Sequence, residues 1–264
     1  MNATQKNNVK VFGKGEQPMV FAHGYGCDQN MWRFITPAFQ EDYKIVLFDH
    51  IGFGQSDDST YSIGIYHTLE AYADDVLAIC EELKLEDVIF VGHSVSAMIG
   101  VLAAVKQPER FSKLVLIGPS PCYVNDDNYT GGFTLEGIQG LISTLESDYL
   151  NWAKTMAPVI MGNPDKPELG EELAKSFCSS NLEVAKDFAR ITFLSDNRSD
   201  LPRVKTDTLI LQCTEDVIAP EVVGQYVHEQ IPQSKLVTME AIGHCPNLSA
   251  PDETIAAIKN FLQA

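Results

Sequence analysis

A serine at position 94 stands where the strand-like run "DVIFVGH" passes directly into the helix-like run "VSAMIGVLAAVKQ". The segment Gly92-His93-Ser94-Val95-Ser96 differs from the Gly-x-Ser-x-Gly pattern of a nucleophilic serine only at its last position. Such a bend strains the serine backbone and presents the hydroxyl above the carboxyl end of a sheet. The stretch therefore predicts acyl-transfer chemistry with Ser94 as the nucleophile.

Two other interpretations of this stretch are weaker. A glycine-rich turn that binds dinucleotides needs further glycines in a tight cluster, and this stretch does not have them. Ser96 lies in the body of the predicted helix and is a poor nucleophile there. Because serine is small, we expect Ser96 to be tolerated where the helix packs closely on the neighbouring strand.

A serine hydroxyl is a weak nucleophile until a histidine takes its proton, and the histidine needs a carboxylate to orient it. Hydrolases with this bend place these residues in the order Ser, Asp, His, after the last strands. Asp216 follows one strand-like run, and His244 follows the final one. Glu215 is the alternative carboxylate, but Asp216 leads directly into the next helix. His244 alone would also fit a surface loop; its match with Asp216 and Ser94 favours catalysis.

The oxyanion formed from an attacked carbonyl needs preorganised hydrogen-bond donors. The backbone N–H of Val95, at the start of its helix, is one candidate. The other is the backbone N–H of Tyr25, which follows His23-Gly24 at the end of an early strand-like run. His93 is predicted to be a packed neighbour and not a base.

The elements that must position these residues alternate between strand and helix patterns. Six nearly continuous apolar runs predict strands at 18–24, 44–50, 87–93, 113–119, 207–213 and 234–240. Helix patterns lie at 67–84, 95–106, 218–231 and 252–263. This alternation predicts a doubly wound, mostly parallel twisted sheet with helices on both faces. Residues 9–15 are predicted to add an antiparallel hairpin arm.

The interval 119–206 breaks this alternation. It has no convincing strand and carries helix patterns at 134–146, 148–161, 168–179 and 182–195. An insertion this long over an α/β core is most simply a lid. We therefore predict a core of residues 1–118 and 207–264 and a helical lid of residues 119–206.

Composition excludes several classes of function. The 264 residues include 19 Lys and Arg against 36 Asp and Glu, a net charge of −17, which argues against nucleic acid and anionic membrane surfaces as partners. The six cysteines and six histidines show no metal-ligand spacing, so no metal or other cofactor is expected. The N-terminus resembles no secretory signal, and unpaired cysteines are typical of a cytoplasmic protein.

The motifs "HGYGCDQNMW", "GHSVSAMIGVLA", "ILQCTEDVIAP" and "GHCPNLSAPDE" resemble the RsbQ-type bacterial stress-signalling hydrolases. They are also similar to the plant karrikin and strigolactone receptors. The resemblance runs from Val9 to Phe261 and includes Ser96, which the karrikin-receptor branch shares. It implies an α/β-hydrolase fold with a four-helix V-shaped lid. It also implies a small apolar pocket lined by Tyr25, Ser120, Tyr123, Phe133, Trp152, Phe193 and Val217. Tyr25 replaces the phenylalanine that is usual in the family.

These observations lead to three hypotheses. The first is a cytoplasmic serine hydrolase that cleaves or senses a small hydrophobic ester or lactone-like molecule; the resemblance adds stress signalling with a PAS-containing serine phosphatase as partner. The second is a metabolic carboxylesterase or carbon–carbon bond hydrolase with the same triad. The third is a ligand-binding receptor in which hydrolysis is vestigial.

Overall fold

A computed structural model describes residues 2–263, which form a sheet of seven strands. The strands are β1 Lys10–Phe12, β2 Pro18–Ala22, β3 Lys44–Leu47, β4 Val88–His93, β5 Phe111–Ile117, β6 Asp207–Thr214 and β7 Ser234–Ile242. Their order is β1-β3-β2-β4-β5-β6-β7, and every neighbouring pair is parallel except β1 with β3. Each of the six predicted strands overlaps an observed one, so the mostly parallel sheet is confirmed.

The first strand pairs differently from the prediction. β1 is antiparallel, as expected, but Lys10 lies opposite Leu47 of β3 and not opposite β2. A hairpin between β1 and β2 is therefore wrong. The central strand β2 is already bonded on both sides, to β3 and to β4. The edge beside β3 is the place left for β1, whose residues are exposed.

The strand order creates a crevice between two neighbouring strands. From β2 the chain crosses to β3 on one side and then returns to β4 on the other side. At such a topological switch point the loops after the two central strands diverge, and ligands of open α/β sheets bind there. In this chain those loops are the one after β2, which holds Tyr25, and the bend after β4, which holds Ser94.

Helices connect the strands. They are α1 Ala3–Lys6, α2 Leu69–Glu82, α3 Val95–Lys106, α4 Leu135–Ser147, α5 Tyr149–Met161, α6 Pro167–Cys178, α7 Leu182–Phe193, α8 Glu221–Gln230, α9 Pro246–Ser249 and α10 Pro251–Leu262. Helix α3 is apolar on all sides and almost wholly buried because it packs against α2, β4 and β5. Between residues 2 and 263 no helix has the length and apolar character needed to cross a membrane.

The interval between β5 and β6 holds the four helices α4 to α7, which we call the helical insertion. Within it α5 packs on α6, and α4 packs on both α5 and α7. Each helix has an apolar face, and the buried side chains of these faces join the hydrophobic core of the molecule. The insertion is therefore continuous in packing with the sheet domain, which places its aromatic residues near the crevice.

Candidate active site

Ser94 occupies a strained bend between β4 and α3. Its backbone angles are φ 57° and ψ −123°, a conformation that residues other than glycine rarely adopt. The bend is held because the Ser94 N–H donates to the carbonyl of Ile117 at 2.8 Å. At Gly92 a side chain is excluded, since an added Cβ would lie 2.4 Å from the Ser96 carbonyl oxygen. These contacts leave the Ser94 hydroxyl at the carboxyl end of the sheet.

The structure brings Ser94, His244 and Asp216 into one hydrogen-bonded chain. His244 Nε2 lies 2.7 Å from Ser94 Oγ, and His244 Nδ1 lies 2.7 Å from Asp216 Oδ2. All three residues are buried. The loop that carries the histidine is anchored to the helical insertion, because the His244 N–H donates to the carbonyl of Ile160 in α5 at 2.9 Å. This geometry allows the histidine to take the serine proton.

Asp216 is held as an ionised acceptor. Burial by itself would raise the pKa of its carboxyl group. The charge and hydrogen bond of His244, and the N–H groups of Ile218 and Ala219 that donate to Oδ1, outweigh burial and lower the pKa below its usual value. The neighbouring Glu215 is exposed, so the structure selects Asp216 as the partner of His244.

Three other histidines near the bend are neutral. Burial, with a smaller contribution from electrostatic repulsion by His244, lowers the pKa of His93 to about 3. Burial also lowers the pKa of His23 and, more strongly, that of His50. His93 donates from Nε2 to the carbonyl of His244 at 2.7 Å. It therefore supports the loop of the triad histidine and does not act on Ser94.

The two predicted oxyanion donors lie on either side of the crevice. Val95 is the first residue of α3, and Tyr25 follows β2. Neither backbone N–H has an acceptor within the described part of the chain. Gly24 allows the two loops to approach each other, because a Cβ at this position would lie 2.5 Å from His93 Nδ1 and 3.3 Å from Ser94 Cβ. This arrangement leaves both groups available for a developing oxyanion.

Ser96 belongs to a closed network that fixes the loop before Tyr25. Its hydroxyl donates to the His23 carbonyl at 2.5 Å and accepts from His50 Nε2 at 2.7 Å. The His50 N–H donates to His23 Nε2 at 3.0 Å, and His23 Nδ1 donates to the Gly24 carbonyl at 2.8 Å. All four hydrogen bonds can form with neutral histidines, because His23 carries its proton on Nδ1 and His50 carries its proton on Nε2. The serine that departs from the usual glycine is thus a buried link between α3 and the loop after β2.

This network predicts an effect of removing the Ser96 hydroxyl. We expect Ser96→Ala to lower kcat for p-nitrophenyl acetate about tenfold, with KM changed less than about twofold, because a loosened Tyr25 N–H would be aimed less well at the oxyanion. Complete loss of one oxyanion donor lowers kcat further, by about 10²- to 10³-fold. Steady-state kinetics would measure the change. Ser249→Ala is the matched control, since that buried hydroxyl bonds only to a carbonyl four residues earlier. Unchanged kcat in Ser96→Ala would mean that the network is packing alone.

An apolar cavity lies above Ser94 and His244. The volume open to a water-sized molecule is about 30 Å³, so the cavity is narrow. Four of the predicted pocket residues line it: Tyr25, Tyr123, Trp152 and Phe193. The Tyr25 hydroxyl donates to the carbonyl of Ala185 in α7 at 2.9 Å. The Tyr25 hydroxyl is therefore bonded to the helical insertion, and the Tyr25 ring faces the cavity.

Three predicted pocket residues do not line this cavity. The prediction for Val217 is wrong, because its side chain is 48% exposed. The N–H groups after it turn back to Asp216, and this tight turn points Ile218 inward in its place. The prediction for Phe133 is also wrong, because its side chain does not line the cavity. Its backbone is bonded to Tyr123 and Asn125 in an irregular ladder. Ser120 is buried but does not line the cavity. Its hydroxyl donates a hydrogen bond to the carbonyl of Cys122.

Eight further residues line the cavity and were not predicted from the sequence. They are Cys27, Ile160, Leu173, Phe177, Ile218 and Cys245, together with His93 and Thr192. Leu173 and Phe177 are four residues apart and share one face of α6, a pattern that could have indicated them. Phe177 stacks on Trp152 with ring centroids 5.7 Å apart. The other residues gave no such signal, because their place depends on contacts between distant loops.

Among the described residues, no three His, Cys, Asp or Glu side chains come together in a way that could hold a metal ion.

Comparison with known proteins extends this description. A family model for the alpha/beta hydrolase fold matches residues 17–251. The chain is 38% identical to Karrikin insensitive 2 receptor CA of Petunia hybrida over 255 residues, covering 96% of this chain and 94% of the receptor. It is 36% identical to Strigolactone esterase D14 of Arabidopsis thaliana over 262 residues, covering 99% and 98% of the two chains. The solved structure of a hydrolase from Oleispira antarctica superposes with a TM-score of 0.96 at 40% identity, covering 99% of this chain and 96% of that one.

Proposed function

Because this chain belongs to the alpha/beta hydrolase family, we propose that it is a serine hydrolase that cleaves a small hydrophobic ester or lactone. The observation that carries the proposal is the chain of two 2.7 Å contacts from Ser94 through His244 to Asp216, at the base of an apolar cavity. A nucleophile, a base and an orienting carboxylate in hydrogen-bond contact are the parts that acyl transfer requires.

In the proposed mechanism, Ser94 Oγ attacks the carbonyl carbon while His244 Nε2 takes the hydroxyl proton. The carboxylate of Asp216 holds the imidazole in the reactive tautomer and stabilises the imidazolium that forms. The backbone N–H groups of Tyr25 and Val95 donate to the oxyanion. His244 then protonates the departing alkoxide oxygen, leaving an acyl group on Ser94. Water attacks this acyl-enzyme by the same steps in reverse order and restores the free serine.

The cavity wall supports a small substrate. Aromatic side chains from three helices of the insertion, among them Trp152, Phe177 and Phe193, surround the space above the serine. Such a wall excludes water, which strengthens the oxyanion contacts and limits the length of the acyl group. We therefore propose that the helical insertion acts as a lid over the site.

This proposal predicts a chain-length preference. We expect acetyl and butyryl p-nitrophenyl esters to react well and octanoyl esters poorly. Trp152→Leu should raise the ratio of octanoate to butyrate kcat/KM about tenfold or more, since each methylene accommodated in a hydrophobic pocket is worth about 10- to 200-fold. Leu150→Ala is the control, because Leu150 lies on the same helix α5 but is exposed.

The measurement is a series of p-nitrophenyl esters on the three proteins, with melting temperatures alongside. A wild-type optimum at ten or more carbons would refute the small pocket. A Trp152→Leu protein that is destabilised yet keeps the wild-type profile would show that the insertion only packs on the core.

We further propose that the protein is of the RsbQ type and acts in signalling in the cytoplasm, with a PAS-containing serine phosphatase as partner. The support is the set of shared motifs and the fact that relatives are named both as receptors and as esterases. A receptor with vestigial hydrolysis is the second candidate, favoured by the receptor-named relatives. Pre-steady-state kinetics separate the two, because a receptor of this kind would show one fast turnover followed by negligible steady-state release.

A further inference from the structure

One polar side chain of the cavity has no role in the proposed mechanism. Thr192, the penultimate residue of α7, is 2% exposed and lines the cavity. Its hydroxyl finds no hydrogen-bond partner anywhere in residues 2–263. A threonine within a helix can bond to the carbonyl four residues earlier, and Thr192 does not do so.

The other polar groups of the cavity differ from Thr192. His93 Nδ1 also has no partner in residues 2–263, but as the unprotonated nitrogen of a neutral ring it can only accept a hydrogen bond. Ser94 and His244 bond to each other, and the hydroxyl of Tyr25 donates to the backbone of α7. Tyr123 lines the cavity together with Ser94. Thr192 differs from all of these because its hydroxyl is buried among apolar and aromatic side chains with its donor free.

A free buried hydroxyl is unfavourable for folding by itself. Desolvation removes its bonds to water, and no protein group replaces them. Valine has nearly the shape of threonine and would fill the same space without this penalty. A hydroxyl at this position is therefore accounted for by a molecule that enters the cavity and accepts its hydrogen bond.

We propose that Thr192 is a specificity-determining residue that donates to a second oxygen of the substrate, separate from the carbonyl that Ser94 attacks. The inference rests on the proposed hydrolase function and deepens it. The substrate class is a small ester or lactone that carries an additional carbonyl, ether or ring oxygen. Plain alkyl esters would leave the hydroxyl unpaired.

The test uses two pairs of esters in which one methylene is replaced by an ether oxygen. On the acyl side the pair is p-nitrophenyl butyrate and p-nitrophenyl methoxyacetate. On the alcohol side it is butyl acetate and 2-methoxyethyl acetate, followed by pH-stat titration. The quantity compared is the ratio of kcat/KM for ether against alkyl ester, because taking the ratio between protein variants cancels the intrinsic reactivity of each ester.

We expect Thr192→Val to lower this ratio about fivefold or more for at least one pair, the worth of one hydrogen bond. Thr192→Ser, which keeps the hydroxyl, should restore the wild-type ratio. Thr155→Val is the matched control on α5, since the hydroxyl of Thr155 is exposed and bonds to the carbonyl of Asn151. The melting temperature of Thr192→Val should not fall by more than about 2 °C, because no bond within the protein is lost.

Ligand-observed NMR measures binding of the same four esters to Ser94→Ala, with and without Thr192→Val. Active wild-type protein whose ratios are unchanged in Thr192→Val for both pairs would overturn the role of Thr192 and leave the hydrolase function standing. Inactive wild-type protein that binds the ether esters through Thr192 would overturn hydrolysis and support the binding role. Absence of any Thr192 effect on binding and on turnover would overturn the inference in either case.

Discussion

A Ser94→Ala protein is expected to hydrolyse p-nitrophenyl acetate about 10⁵-fold or more slowly than the wild type, as loss of the nucleophile does in a serine protease. The reason is geometric. Only the hydroxyl of Ser94 lies at 2.7 Å from His244 Nε2, and only Ser94 sits on the strained bend above the sheet. Without that oxygen no acyl-enzyme forms.

Two measurements check this expectation. Ester hydrolysis is followed by release of p-nitrophenol, and a fluorophosphonate probe reports the nucleophile by covalent labelling. Ser112→Ala serves as the matched control, because Ser112 lies near the start of β5, at the opposite end of the sheet from the site. Labelling that persists in Ser94→Ala and disappears in Ser96→Ala would show that the nucleophile had been assigned to the wrong serine.

The second large effect is expected at the carboxylate. Asp216→Asn should lower kcat by about 10⁴-fold, as the equivalent change does in a serine protease. The asparagine amide can turn its N–H₂ toward His244 Nδ1, which stabilises the tautomer whose Nε2 carries the proton and therefore does not accept one from Ser94. Loss of the negative charge also removes the stabilisation of the imidazolium.

Glu215→Gln is the matched comparison, because it makes the same chemical change one residue earlier in the same loop. Glu215 is exposed and Asp216 is buried against His244, so we expect less than a twofold change in kcat for Glu215→Gln. The two variants are compared by steady-state kinetics after circular dichroism establishes that both are folded. Similar losses in both would contradict the assignment of Asp216.

Much of the fold could be predicted because its determinants are local. The apolar runs of β2 and β4 are buried along their whole length, as expected for central strands of a parallel sheet. The predicted α/β-hydrolase fold is confirmed by the sheet order and by the hydrolase structure that superposes on it. The order of Ser94, Asp216 and His244 was also visible in the sequence, because each follows a strand, and parallel strands end at the same edge of a sheet.

Contacts between distant segments decided the rest. β1 pairs with β3 because both edges of β2 are already occupied, which no local pattern shows. The pattern at Ser96 indicates only a small residue. Its bonds to His23 and His50 arise where α3 meets the loops after β2 and β3.

The cavity shows the same division between local and tertiary control. Sequence resemblance placed Val217 in the wall, whereas the turn that bonds the N–H of Ile218 to Asp216 exposes Val217 and directs Ile218 inward. Thr192 looks like any helical threonine until the packed insertion deprives its hydroxyl of a partner. Sequence periodicity determines which residues form strands and helices and thus where the catalytic loops lie. The direction and satisfaction of many polar groups depend on neighbours 150 or more residues away, as in the bond between Ser94 and His244. Those neighbours are set only by the tertiary structure.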